Sequence, residues 1–313
     1  MNLAGLDRAL RALGPYVEDV VLCGAWAWYV HRRCSGSATW LPMEFTRDVD
    51  CVGRETLALR GSAPLQAYLE AQEFVWAPRG DENPPVALFA WPSIASPEVE
   101  IEFLAPARGD GSVRVVELQK GVTAQTLRDV DILLDEPVRV RMDDSSPLAL
   151  ELPYRGTFQI PKVGHFCIQK ALIHRRRNVE QQVKDVFYVF DLINSVNGMS
   201  AAVLSDVLAA ERRWGAGVSA LVELLHQRAT EPRFLKALAE QFPEERGSPF
   251  GGPFLHEDRM KWGNLSRIMQ SQQGDHLQQL AAGRWAPRAA RQGVGTKGHR
   301  SALRSSGRAR AVA

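Results

Sequence analysis

Asp48, Val49 and Asp50 set two carboxylates two residues apart. On an extended strand residues i and i+2 point to one face, so the pair offers hard oxygen donors of the kind that hold divalent ions beside phosphate groups. An Asp-x-Asp also arises by chance on solvated loops, so its surroundings decide its weight. Upstream, an apolar run ends at Cys23-Gly24-Ala25, where a strand turns into a helix. A residue without a Cβ lets the backbone approach a ligand there, and the amides and dipole of a helix N-terminus suit a phosphate chain. On its own, such a glycine is more often a tight turn. Downstream, Glu98-Val99-Glu100-Ile101-Glu102-Phe103-Leu104 alternates strictly, so the glutamates share one face and the apolar residues the other. Alone this reads as an amphipathic edge strand. Beside the Gly turn and the Asp pair, it can supply a third carboxylate. Three carboxylates around two Mg²⁺ ions fit in-line nucleotidyl transfer, in which one ion lowers the pKa of the attacking hydroxyl and the other neutralises triphosphate and pyrophosphate.

The elements that must hold these residues follow from periodicity. Leu3, Leu6, Leu10 and Leu13 recur at helical spacing until Gly14-Pro15, which predicts an amphipathic first helix rather than a signal peptide. Residues 17–23 read as a buried strand, 24–33 as a helix, 48–52 as a second strand and 64–73 as a helix. Further strands are predicted over 74–77, 86–91 and 98–104, separated by Pro-rich and Gly-rich turns. Residues 118–134 read as a helix, and 138–160 as short strands around the loop Asp143-Asp144-Ser145-Ser146-Pro147. Beyond Pro161 the period becomes helical, over 162–177, 179–196, 200–214, 216–229 and 232–242, with Pro161 as the opening residue.

Composition excludes several classes. A chain of 313 residues with 45% hydrophobic and 24% charged residues can build a large core. Its longest apolar stretch, residues 20–30, contains Gly24 and falls well short of the roughly 20 residues needed to span a bilayer, so no membrane partner is expected. Cys23, Cys34, Cys51 and Cys167 show no CxxC spacing, which argues against zinc and against a disulfide framework and fits a reduced, cytoplasmic setting. The net charge is +2, yet the last 30 residues carry eight Arg or Lys and no acid, leaving −6 on residues 1–283. This tail, residues 284–313, is poor in large apolar side chains and is expected to be disordered. It can contact nucleic acid through phosphates, or simply solubilise the chain.

The Gly turn, the helix after it, the Asp-x-Asp strand and the later acidic strand together resemble the nucleotidyltransferase domain of the polymerase-β-like superfamily. Bacterial nucleotidyltransferase-like proteins related to AbiEii-type toxins are similar in more detail. Their Thr-Lys-Asp-Ile-Asp-like run matches Thr46-Arg47-Asp48-Val49-Asp50, and their Val-Asp-Phe-Leu-x-Pro-like strand matches Ile101-Glu102-Phe103-Leu104-Ala105-Pro106. The resemblance therefore selects Glu102 over Glu100 and implies Asp48, Asp50 and Glu102 as catalytic acids and ligands of two Mg²⁺ ions. It implies Gly24, Ala25, Thr46, Arg47, Lys170 and Lys184 as contacts to an NTP, ATP among the candidates. Gln169-Lys170, Arg175-Arg176-Arg177 and Val183-Lys184-Asp185-Val186 look like the family's helical His-Lys, Arg and Lys-x-x-Lys-Asp segments.

The implied fold is α+β: a nucleotidyltransferase-type mixed α/β sheet domain over residues 1–160, then an α-helical domain over 161–283. Three departures stand out: Ala25 replaces the usual Ser or Gly, 24 positions separate Gly24 from Asp48, and the third acid is Glu. The extra residues, 31–42, are expected to form a loop near the site. Lys162 joins Lys170 and Lys184 as a cation within reach of a triphosphate, while the Arg triplet reads more simply as a solvated face and Asp185 as the holder of a lysine. Trp26, Trp28, Tyr29 and Trp40 can stack on a base, although Trp26 and Tyr29 at helical spacing read as core. His31, His165 and His174 are too scattered for a metal site. The implied activity is transfer of an NMP group from an NTP to a hydroxyl of RNA, protein or a small molecule, with a toxin–antitoxin role among the readings. A protein that keeps the fold and binds nucleotide or nucleic acid without turnover is the alternative.

Overall fold

The computed structural model describes residues 3–35, 46–80, 85–95, 98–109, 112, 114–149, 151–194 and 199–228. The described residues all belong to one compact unit. The helix expected over 232–242, the basic tail and Trp40 lie outside the described residues.

Helix α1 (Leu3–Leu13) buries Leu6, Ala9, Leu10 and Leu13 along one stripe, as its spacing predicts. It stops where Gly14 takes a φ of +52° and Pro15 follows. Strand β1 (Val20–Leu22) is buried throughout, and α2 (Gly24–Cys34) starts directly after it. Then come β2 (Asp48–Gly53), α3 (Leu65–Ala71), β3 (Val75–Arg79), β4 (Val86–Trp91) and β5 (Val99–Pro106). Residues 31–34 are the last turn of α2 and not part of the loop expected over 31–42, whose residues 36–42 lie outside the described residues.

Residues 118–134 are not a helix. They hold the end of β6 (Val115–Gln119), then β7 (Val122–Leu127), then a 3-10 turn over Asp131–Leu134. Gly121, at φ +82°, makes the tight reversal between the two strands, and the β-branched residues Val115, Val116, Val122, Thr123 and Thr126 suit a pleated ladder. Strands β8 (Val138–Met142) and β9 (Gly156–Ile160) flank the expected loop.

The strands form one mixed sheet in the order β3-β4-β5-β2-β1-β9-β8, with β7 joining β5 and β6 joining β7. The central β2 and β5 run parallel. Their core-facing residues Val49, Cys51, Ile101 and Phe103 are fully buried, and α1 packs against β5. Each such side chain contributes ~1.5–3 kcal/mol.

After β9 come α4 (Val163–His174), α5 (Val179–Asn194) and α6 (Met199–Arg228). Helix α4 is buried nearly all round, the pattern of a central helix, and it packs against both α5 and α6. Two helices were expected where α6 runs. The break between them survives as a non-helical Trp214, whose indole N–H donates to Asp135 at 3.0 Å. Trp26 and Tyr29 are core residues, packed edge to face at 6.2 Å. All four cysteines are free thiols. Among the described residues no helix is long and apolar enough to cross a membrane.

Candidate active site

The site begins with strand register. In the parallel β2–β5 pair, Asp48 lies opposite Glu100 and Asp50 opposite Glu102. Cross-strand partners and residues two apart share a face, so four carboxylates meet on the face opposite Val49, Ile101 and Phe103. The acids expected from sequence, Asp48, Asp50 and Glu102, are therefore neighbours, with Glu100 as a fourth. Among the described residues, however, no three His, Cys, Asp or Glu side chains stand as a closed ligand cluster. The acids share a face without forming a finished cage.

The Gly turn abuts this face. The amide of Cys23 donates to the Asp50 carbonyl at 2.9 Å, which ties the start of α2 to β2. Gly24 has a φ of +63°, and a Cβ there would run into Oδ2 of Asp50. The glycine is required twice, by backbone conformation and by the carboxylate beside it. Ala25 follows in the first turn of α2 and is half-buried. Thr46 brackets the start of β2, its hydroxyl accepting from the Asp48 amide at 3.2 Å. Arg47 is exposed, and its carbonyl accepts from the Glu100 amide at 3.1 Å.

Crowding sets the electrostatics. Burial pushes the Glu102 carboxyl up to about 7; Asp50, Asp48 and Glu100 add to the rise, and Arg79 opposes it. Asp50 is raised by burial first and by Asp48 next, while Lys170 and Arg177 pull it down. Glu100 is raised by burial, then by a hydrogen bond with Asp48, against Arg79. All three are raised by burial first and by a neighbouring carboxylate as well, so this face disfavours full ionisation of its acids.

Lys170 lies on α4, is buried, and pairs with Asp185 of α5 at 3.3 Å. Arg177 reaches the same Asp185 oxygen at 3.3 Å. Tyr188, one turn on from Asp185, is buried against the rings of Trp28 and Phe187. Asp185 thus holds a lysine as its sequence context suggested, and an arginine besides. The Arg triplet is divided: Arg175 pairs with Glu223, Arg176 with Asp129, and Arg177 with Asp185. Lys162 pairs with Glu136. Lys184 pairs with Glu180 one turn back at 3.2 Å and is not among the cations acting on Asp50. His31, His165 and His174 are buried, the first two bonded to the carbonyls of Pro161 and Asp135 at 2.9 Å.

A family model described as a nucleotidyltransferase matches residues 2–187, more than half of the chain. The chain belongs to this nucleotidyltransferase family. No curated protein and no solved structure matches it. The matched span includes the Gly24 turn, all four acids, Lys170 and Asp185. The donor set is entirely oxygen, which suits Mg²⁺ better than a softer metal. The carboxylate donors fit a hard divalent ion by their chemistry, and the turn at Gly24 brings the start of α2 against Asp50.

Sequence reasoning passed over Arg79 and Glu100. Glu100 shares its face with Glu102 by simple alternation, so only the register with Asp48 sets it apart. Arg79 is a single arginine at the end of an edge strand, and no local pattern marks it.

Proposed function

We propose that the chain transfers an NMP group from an NTP to a hydroxyl acceptor and releases pyrophosphate, with Asp48, Asp50 and Glu102 holding two Mg²⁺ ions. The observation that supports this most is the β2–β5 register, which sets Asp50 beside Glu102 on the face next to Gly24. Bound Mg²⁺ supplies Lewis-acid activation of the hydroxyl and charge neutralisation of the triphosphate. The residues do the rest. Gly24 and Ala25 open α2 toward the phosphates with free first-turn amides. Thr46 and Arg47 flank the entry to β2. Lys170, fixed by Asp185, adds positive potential beneath Asp50. Glu102, beside Asp50 across the β2–β5 pair, would complete the ion site and stand where it can accept the proton of the attacking hydroxyl. Lys184 stays with Glu180 in this reading.

The acceptor we favour is RNA or protein, in keeping with the toxin-related sequences this chain resembles; a small molecule is the other class. A second reading is nucleotide binding without turnover. It draws on the longer third acid, Glu102, and on the open arrangement of the carboxylates.

Incubating the protein with Mg²⁺, each labelled NTP and tRNA, protein or aminoglycoside acceptors separates the two. Nucleotidyl transfer predicts label on one acceptor, reduced by at least about 10³-fold in Asp48→Ala. Nucleotide binding with no label on any acceptor and no pyrophosphate would support the silent reading instead.

A further inference from the structure

Two sets of cations serve the acidic face, and they are held very differently. Lys170 and Arg177 act on Asp50 and share the fully buried Asp185. Arg79 acts on Glu100 and Glu102 from the other side, at the end of edge strand β3. Its guanidinium stands 3.4 Å from Glu100 and its side chain is 56% exposed. That distance exceeds the ~2.7–2.9 Å of a strong charge-assisted bond, and exposed pairs of this kind contribute only ~0–1 kcal/mol. Arg79 is therefore easily given up by Glu100.

The planar guanidinium fork matches two phosphate oxygens at once. When cations take the carboxylates, the attraction holding Arg79 to Glu100 falls, and an incoming triphosphate brings a stronger one. We propose that Arg79 is a transferable counter-charge, resting on Glu100 while the acidic face is bare and passing to the phosphates of the nucleotide once a divalent ion is bound. This rests on the nucleotidyl-transfer reading, and makes Arg79 a nucleotide-binding residue of that site.

The proposal predicts effects of opposite sign on two ligands. Removing Arg79 removes a competitor of the ion and a partner of the nucleotide. Calorimetric titration of the full chain with Mn²⁺ alone, then with the α,β-methylene analogue of each NTP in the presence of Mn²⁺, reads both. In Arg79→Ala, Mn²⁺ should bind about 3-fold to 10-fold tighter and the analogue about 10-fold weaker. Arg79→Lys should keep the wild-type Mn²⁺ affinity and bind the analogue with intermediate strength, because it retains the charge without the fork. Arg60→Ala, which breaks an exposed pair with Asp19, should change neither. Weakening of both ligands in Arg79→Ala, or no change in either, overturns the proposal while the transferase reading stands. Failure of the wild-type protein to bind either ligand overturns both.

Discussion

Asp185 and Asp50 are aspartates in one neighbourhood with opposite provision of charge. Asp185 is fully buried, and its Oδ1 has two cations, Lys170 and Arg177, each at 3.3 Å. Asp50 shares its face with Asp48, Glu100 and Glu102, and burial and Asp48 raise it despite those same two cations. A carboxylate that serves the fold is given its counter-charge by the fold. On the proposed function, the carboxylates grouped on the other face are completed by a hard divalent ion from solution.

Neutralising each aspartate in turn is the strongest attempt to break this contrast. Asp50→Asn should lower nucleotidyl transfer by about 10³-fold or more and leave the metal-free protein as stable as wild type, or more so. Asp185→Asn should destabilise the fold by about 3–5 kcal/mol, because it strands Lys170 as a buried charge. Urea unfolding without divalent ions measures both. Equal destabilisation by the two substitutions would erase the distinction.

Acidity sharpens it next. The Glu102 carboxyl sits at about 7 against an ordinary 4.5, so the folded state favours its protonated form. Its contribution is fully present below the ordinary value and is lost as pH rises through about 7, by about 3 kcal/mol at most. Denaturation in chelator at pH 5 and 8 should show this loss, and Glu102→Gln should flatten it. The smallest expected effect is that of Gly24→Ala. A methyl in a left-handed conformation costs roughly 1–2 kcal/mol, and here it also displaces Asp50, so stability should fall modestly while divalent-ion binding weakens.

Much of this was legible in the residues themselves. Period-two alternation exposed the acidic strand, and Gly24 marked the strand-to-helix turn, because both signals are local. The pairing of Asp48 with Glu100 and of Asp50 with Glu102 was not legible, since register between strands some 50 residues apart is fixed by the whole sheet. Residues 118–134 read as a helix because their leucines mask the alternation of Val122, Ala124 and Thr126, and the turn at Gly121 divides them. The grip of Asp185 on both Lys170 and Arg177 depends on how α4 meets α5. The same holds for the role of Arg79 on β3, where no spacing rule applies.

On the proposed function, a divalent ion supplies the counter-charge of the acidic face. Thermal unfolding at about pH 8, where Glu102 is ionised, with and without millimolar Mg²⁺, tests it most directly. The Tm should rise with Mg²⁺ concentration in the wild-type protein and stay unmoved in Asp50→Asn. A wild-type Tm indifferent to Mg²⁺, or an equal rise in both proteins, would contradict it.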